Sequence, residues 1–203
     1  MKFICIGRNY AKHIAELKHE TPKEPVFFLK PDSAITRCNR PFFIPDSLGQ
    51  IDYETEIIVK INRLGKCIAE KFANRYYEEI GLGVDFTARE MQKACIEAGN
   101  PWEIAKAFDG SAVVGKFLNK SQLPDVQNLH FHLLLNDRKV QEGHSADMLF
   151  SIDRIISYVS RFITLRTGDI IFTGTPVGVG PVHIDDHLQG FLEGEKLFDF
   201  KVK

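Results

Sequence analysis

No stretch of this chain holds the ~18 consecutive apolar residues of a membrane-spanning helix, and neither sign of charge is in excess. Lysine and arginine together number 26, against 27 aspartates and glutamates. A generic nucleic-acid binder carries a basic surplus or stripe. These two absences argue against a membrane span and against a nucleic-acid partner. Cysteine is scarce and scattered: Cys5, Cys38, Cys67 and Cys95 stand far apart, with no C-x-x-C pair. That spacing predicts free thiols in a reducing, cytoplasmic setting rather than a disulfide frame or a zinc site. The apolar run within residues 1–7 is too short for a signal-peptide core and flows straight into patterned sequence. Internal repeats, low-complexity tracts and linkers are missing, as is a Gly-x-Ser-x-Gly nucleophile elbow.

What is present is an ordinary globular composition, 44% hydrophobic and 26% charged over 203 residues. One domain over 1–203 is expected, long enough to bury a sizeable core. Short apolar or β-branched runs predict strands at 3–6, 26–29, 54–61, 80–84, 170–172 and 196–202. Pro41 and Pro45 bracket Phe42-Phe43-Ile44 as an edge strand. Asn136-Asp137 forms a hairpin-like turn between strands at 130–135 and 139–140. A polar helical turn is expected around 10–17, and 62–77 reads as an excursion or a small helix. Thr87-Ala88-Arg89-Glu90 fits a capping box opening a helix to Ala98, with Gly99 as its stop. Apolar residues recur at helical spacing over 152–163, after Ser151. With strands throughout and only two helices longer than two turns, the pattern predicts a β-rich α+β domain with one closed or rolled sheet system.

Side chains alternate along a strand, so Glu54 and Glu56 fall on one face. Such a pair is either a solvated outer edge or part of a site for a hard divalent cation. Asp85 shares its strand face with Gly83 and Gly81. The reading that favours a ligand puts open space beside this carboxylate; a bulge or sheet crossing is the plainer alternative. Arg89 and Gln92, three apart on a helix, face the same way and suit a carboxylate-bearing substrate; Arg89 could equally form a surface salt bridge. His13 and Glu16 are one helical turn apart, so a carboxylate can orient an imidazole for general-base work, although such pairs are common on surfaces. The glycine- and hydroxyl-rich run Thr173-Gly174-Thr175-Pro176-Val177-Gly178-Val179-Gly180 follows a strand and lacks the lysine of a phosphate loop. His130 and His132 share a strand face without a third ligand, and His183 and His187 read as loop residues.

Taken in order, several segments resemble the fumarylacetoacetate hydrolase family, in particular its short acylpyruvase and oxaloacetate decarboxylase branch. They are Gly7-Arg8-Asn9-Tyr10 with His13, Phe28-Leu29-Lys30-Pro31, Tyr53-Glu54-Thr55-Glu56, Asp85-Phe86-Thr87-Ala88-Arg89-Glu90-Met91-Gln92 and Trp102-Glu103-Ile104-Ala105-Lys106. Gln141-Glu142-Gly143, Met148-Leu149-Phe150 and the run 173–180 complete the set. The resemblance implies a β-roll of mixed rolled sheets with few helices, acting as a homodimer. It implies Mg²⁺ or Mn²⁺ held by Glu54, Glu56 and Asp85. It implies substrate contacts from Lys106, Gln92, Thr175 and Arg89, and a water-activating pair in His13 and Glu16, with a lid segment within residues 1–20. The implied activity is hydrolysis of the C–C bond of acylpyruvates, 2,4-dioxo acids, through a metal-bound pyruvate enolate, with oxaloacetate decarboxylation at the same site. The alternatives are an isomerase that tautomerises oxaloacetate or a 2-hydroxydienedioate, and a non-catalytic metabolite-binding domain. Three departures stand out: Glu90 where aspartate is usual, Phe86 beside a metal ligand, and the stretch from His183 to His187.

Overall fold

Thr55–Ile61, the run richest in β-branched residues, is the central strand of a seven-stranded mixed sheet. A computed structural model of the protein describes residues 1–16, 20–37 and 40–203. Cys38 and the expected end of the first helical turn at residue 17 lie outside the described residues. The strand order in this sheet is Val26–Lys30, Phe3–Gly7, Ile170–Phe172, Thr55–Ile61, Tyr77–Asp85, Ala112–Asn119, Ile35–Arg37. Two pairings are parallel, Phe3–Gly7 with Ile170–Phe172 and Ile35–Arg37 with Ala112–Asn119; the others are antiparallel. A four-stranded antiparallel sheet contains Arg138–His144, His130–Leu135, His187–Leu192 and Glu195–Lys201 in that order. A small third sheet joins Gly180–Pro181, Ile51–Tyr53 and Thr87–Ala88. The helices are α1 (Ala11–Glu16), α2 (Glu70–Ala73), α3 (Arg89–Ala98), α4 (Glu103–Lys106) and α5 (Ile152–Phe162). This is the β-rich α+β architecture expected from the sequence.

The pleat sorts the core. Ile57, Val59 and Ile61, with Ile80, Leu82 and Val84 on the next strand, face the larger apolar cluster under α5 and the second sheet. Ile58 and Phe172 face the other way with Phe3 and Cys5, forming a smaller cluster. By the same alternation Glu56 and Asp85 stand on this second face, where the small cluster runs out. Helix α5 follows its pattern: Ile152, Ile155, Ile156 and Val159 are buried, and the Ser151 hydroxyl accepts from Arg154 N at 3.2 Å. Asn136 and Asp137 take φ of 51° and 63°, as a two-residue hairpin turn demands.

Several expectations fail for identifiable reasons. The capping box does not form. Thr87 belongs to a short strand, Ala88 is the N-cap without a side-chain bond, and the Thr87 hydroxyl is taken by the buried Lys106. Phe42-Phe43-Ile44 is no strand: Phe42 makes one bridge to Val202 and stacks on Phe86 with centroids 3.8 Å apart. Residues 62–77 carry the small helix α2. His187 opens a strand rather than sitting in a loop, and its Nε2 lies 2.6 Å from Asp199 Oδ1. Sequence reading passed over Ala112–Asn119 because Gly115 and Lys116 interrupt its apolar run. The open space expected beside Asp85 is filled: a Cβ on Gly83 would lie 2.6 Å from Val113 O and 2.8 Å from Phe172 Cε1. The pairing with Ala112–Asn119 shifts register between Gly81 and Gly83, so the bulge alternative is the correct one.

Gly83→Ala should therefore destabilise the fold by about 1–3 kcal/mol, since the obstacle is backbone that cannot rotate away. Gly99→Ala meets nothing within 4 Å and bears only its left-handed φ of 68°, a cost of about 1 kcal/mol. Urea denaturation of both variants checks the order. Equal losses would show that Phe172 and Val113 tolerate the extra methyl.

Candidate active site

Three carboxylates converge at the end of the smaller cluster. One oxygen each from Glu54, Glu56 and Asp85 lies within 4.8 Å of the others, and all three residues are buried. Glu54 precedes its strand rather than lying in it, yet the two-residue period carries across the break. Asp85 N donates to Glu54 O at 2.8 Å, which locks the two strand ends together.

Such a cluster in an apolar surround requires compensation. Lys106, at the end of α4, reaches Glu54 Oε2 at 2.8 Å and Asp85 Oδ2 at 3.0 Å, and donates to Thr87 Oγ1 at 2.5 Å. Arg89 spreads its guanidinium over Asp52 Oδ2 at 2.8 Å, Glu54 Oε1 at 2.5 Å and Gln92 Oε1 at 2.8 Å. Lys30, fully buried, places Nζ 2.6 Å from Asp85 Oδ1 and donates to Phe86 O and Ser111 O. Asp85 is thus held by an ammonium at each oxygen, Lys30 at Oδ1 and Lys106 at Oδ2.

Burial pulls the Glu54 pKa upward, but Lys106 and Arg89 outweigh it and hold the carboxyl below its ordinary range. Glu56 goes the other way: burial, then the Asp85 and Glu54 charges, push its pKa well up despite the Gly174 N–H and Lys106. Burial depresses Lys106, yet Asp85 and Glu54 more than reverse this and keep the ammonium charged.

The glycine-rich run braces this cluster. Gly174 N donates to Glu56 Oε2 at 2.6 Å, at a φ of 101° where a Cβ would strike Asn9. Gln141 ties the run to the carboxylate strand: Thr55 N donates to its Oε1, and its Nε2 donates to Thr175 Oγ1 and Pro176 O. The Thr175 hydroxyl donates in turn to Thr55 O at 2.9 Å. Asn9 clamps the N-terminal segment from the other side, donating to Phe150 O and Thr173 O and accepting from Phe150 N. The family-like motifs at 9, 141, 148–150 and 173–176 are thus one scaffold. His13 projects from α1, buried, with Nδ1 2.9 Å from Glu16 Oε2. Phe3–Gly7 is an inner strand, so a covering segment within 1–20 can only begin after it.

An open cleft unites most of these groups. Glu54, Asp85, Lys106, Arg89, Gln92 and His13 line it, so six of the nine sequence-predicted site residues meet there. Glu56 stands behind them with the loop. Glu16 supports His13 from outside the wall, and Thr175 faces inward to Gln141 and Thr55. Sequence reading gave no role to Lys30, which it named only within the motif Phe28-Leu29-Lys30-Pro31, or to Asp52, although the Asp52, Glu54, Glu56 period was visible. It also missed the apolar wall of Phe28 and Trp102, whose rings meet edge to face at 6.1 Å.

The donor set fits a hard divalent cation. Three buried carboxylates, each with an oxygen within 4.8 Å of the others, match the oxygen ligands that Mg²⁺ and Mn²⁺ take. His130 and His132 form no comparable group: His130 stacks on His144 at 4.1 Å and His132 on Phe191 at 4.8 Å.

Comparison with known proteins agrees with this geometry. The family described as fumarylacetoacetate (FAA) hydrolase C-terminal matches residues 2–199. The chain is 41% identical over 200 residues to the mitochondrial oxaloacetate tautomerase FAHD1 of Bos taurus, covering 98% of this chain and 90% of that protein. It is 38% identical over 197 residues to the oxaloacetate tautomerase YcgM of Escherichia coli, covering 97% and 90%. The fumarylpyruvate hydrolase of Pseudomonas aeruginosa, solved with Mn²⁺ and pyruvate, superposes with a TM-score of 0.93 at 33% identity, covering 100% of this chain and 89% of that one.

Because the Glu56 pKa is raised, protons compete with a divalent cation for this carboxylate. Mn²⁺ affinity should rise with pH, by about tenfold per unit for one proton released, until pH passes the Glu56 pKa, and then level off. Calorimetry in buffers of differing ionisation enthalpy reads the released proton. In Glu56→Gln the proton release should vanish and the affinity should fall at least roughly tenfold. Unchanged proton release in that variant would remove Glu56 from the binding step.

Proposed function

This chain belongs to the fumarylacetoacetate hydrolase family, a family of enzymes, and from that premise we propose that it is a divalent-metal-dependent oxaloacetate tautomerase. The observation that carries this reading is one cavity lined by Glu54 and Asp85, with Glu56 directly behind them, together with flanking cations and a single oriented imidazole. The names of relatives near 40% identity support tautomerisation ahead of the hydrolysis that the sequence motifs put first. Glu54, Glu56 and Asp85 are the residues that would hold the cation. When bound, it supplies positive charge opposite the carboxylate and keto oxygens of a 2-oxo acid, which lowers the cost of enol formation.

The chain's own groups do the rest. Lys106, now paired with Glu54 and Asp85, would be partly released were those carboxylates to hold the cation, and its ammonium would then face the developing negative charge. Arg89 and Gln92, already joined at 2.8 Å, orient the acid end. Glu16 occupies His13 Nδ1, so Nε2 is the atom free to move a proton between C3 and solvent, with Glu16 offsetting the imidazolium that forms. Thr175 contributes by fixing the loop that presents Gly174 to Glu56.

A second reading, C–C hydrolysis of a 2,4-dioxo acid, draws on the same His13–Glu16 pair placing a water, and on the likeness to a fumarylpyruvate hydrolase. Product analysis separates the two. With Mg²⁺ present, tautomerisation should speed enol-to-keto conversion of oxaloacetate without releasing pyruvate, followed by ultraviolet absorbance and NMR. Pyruvate and acetate from acetylpyruvate would establish hydrolysis; pyruvate and CO₂ from oxaloacetate would establish decarboxylation. His13→Ala should slow the proton shift by roughly 10²–10⁴-fold while Mn²⁺ binding stays intact. An unchanged rate would move the proton-transfer role to another group.

A further inference from the structure

Each cation near the carboxylate triad is committed to a carboxylate: Lys106 to Glu54 and Asp85, Arg89 to Asp52 and Glu54, Lys30 to Asp85. Arg8 is different. It lines the same cavity, and no carboxylate lies within salt-bridge distance of it among the described residues. Its guanidinium carbon stands 6.0 Å from the Trp102 ring centroid, on an otherwise apolar wall that includes Ile14, Phe28 and Ile96. An unpaired guanidinium against such a wall is poised for an anion, since the low dielectric beside it strengthens any ion pair formed there.

The backbone places it there deliberately. Arg8 holds a φ of 59°, a left-handed conformation that non-glycine residues adopt only when their surroundings enforce it. The enforcement comes from the next residue, Asn9, whose side chain is bonded to Phe150 and Thr173. Relaxing φ would turn Arg8 off the Trp102 face.

We propose that Arg8 is the specificity-determining residue of the cavity, receiving the distal carboxylate of a 2-oxo dicarboxylate whose 2-oxo acid end lies at the triad. This rests on the reading of the cavity as a 2-oxo acid site and adds the residue that recognises the second carboxylate. The charges divide by what they touch: Lys106 and Arg89, with Gln92 on Arg89, contact the triad and serve the 2-oxo acid end, while Arg8 contacts none of its carboxylates and is left for the other end. A substrate without the far charge leaves the guanidinium unpaired and gains nothing from it. The planar fork of arginine also grips a carboxylate through two parallel bonds, which lysine cannot do.

The test compares oxaloacetate with its 4-methyl ester, which keeps the skeleton and removes the distal charge, using wild type, Arg8→Met and Arg8→Lys. Circular dichroism and Mn²⁺ titration first establish that each variant is folded and metal-competent. Wild type should prefer the dianion by roughly 10–100-fold in kcat/KM, the range of a charge-assisted pair. Arg8→Met should lose that preference by falling on oxaloacetate while holding its rate on the ester, and Arg8→Lys should recover part of it. A loss on both compounds alike, or on neither, overturns the assignment. If wild type turns over neither compound, the tautomerase reading fails by itself. Arg8 is then judged by binding to the Mn²⁺-loaded protein, read by water proton relaxation. Tighter binding of the dianion that disappears in Arg8→Met sustains the proposal, and equal affinities end it.

Discussion

Lys106 Nζ, lodged between Glu54 and Asp85 with almost no exposure, is the contact on which the site's geometry rests. Three carboxylates held within 4.8 Å in an apolar surround would separate or protonate if left alone. The ammonium and guanidinium groups of Lys106, Lys30 and Arg89 offset that repulsion, and what is left of it, with burial, raises the Glu56 pKa. The arrangement is costly to break from one side, because losing one partner of a buried pair leaves a naked charge worth about 3–5 kcal/mol. The same contacts make the cluster ready for a dication, whose charge can replace part of the lysine's duty. Structural compensation and cation binding are therefore one electrostatic problem with two solutions.

Much of this was legible in the residues because the two-residue strand period is rigid. Glu54 and Glu56 had to share a face, and Asp85 had to share one with Gly83. Helical spacing likewise brought Arg89 to Gln92 and His13 to Glu16, as the 2.8 and 2.9 Å contacts show. What could not be read locally is what tertiary contacts decide. Thr87 has the letters of an N-cap, but a buried lysine nineteen positions later claims its hydroxyl. Gly83 has the letters of a ligand approach, but the edge of Phe172 fills the space. Lys30 ends an apolar strand as a solvated lysine would, and only the fold turns it to Asp85. In each case the competing partner is distant in sequence.

The polar motifs divide into two jobs that look alike in sequence. Lys106, Arg89, Gln92 and His13 face the cavity and can meet a substrate. Asn9, Gln141 and Thr175 face the protein, and their amides and hydroxyl are spent on backbone groups of neighbouring segments. The second set sets the precision of the first: Asn9 carries Arg8 into its left-handed turn, and Gln141 holds the loop that presents Gly174 to Glu56. Alterations at these bracing positions would reach the chemistry through displaced partners rather than through a lost contact to substrate.

Ile170–Phe172 is only three residues long, yet it lies between the N-terminal strand and Thr55–Ile61, pairing with both. Without it the large sheet is two separate pieces. During synthesis the N-terminal hairpin of Phe3–Gly7 with Val26–Lys30 is made early, and the strands carrying Glu56 and Asp85 soon after. They cannot be joined through this strand until residue 172 has left the ribosome, when Gly174 also arrives to engage Glu56. The pocket is thus completed only after residue 174 has been made, and until then the chain carries two unsealed sheet edges. Until that closure the unpaired strand edges are open to pairing with another chain.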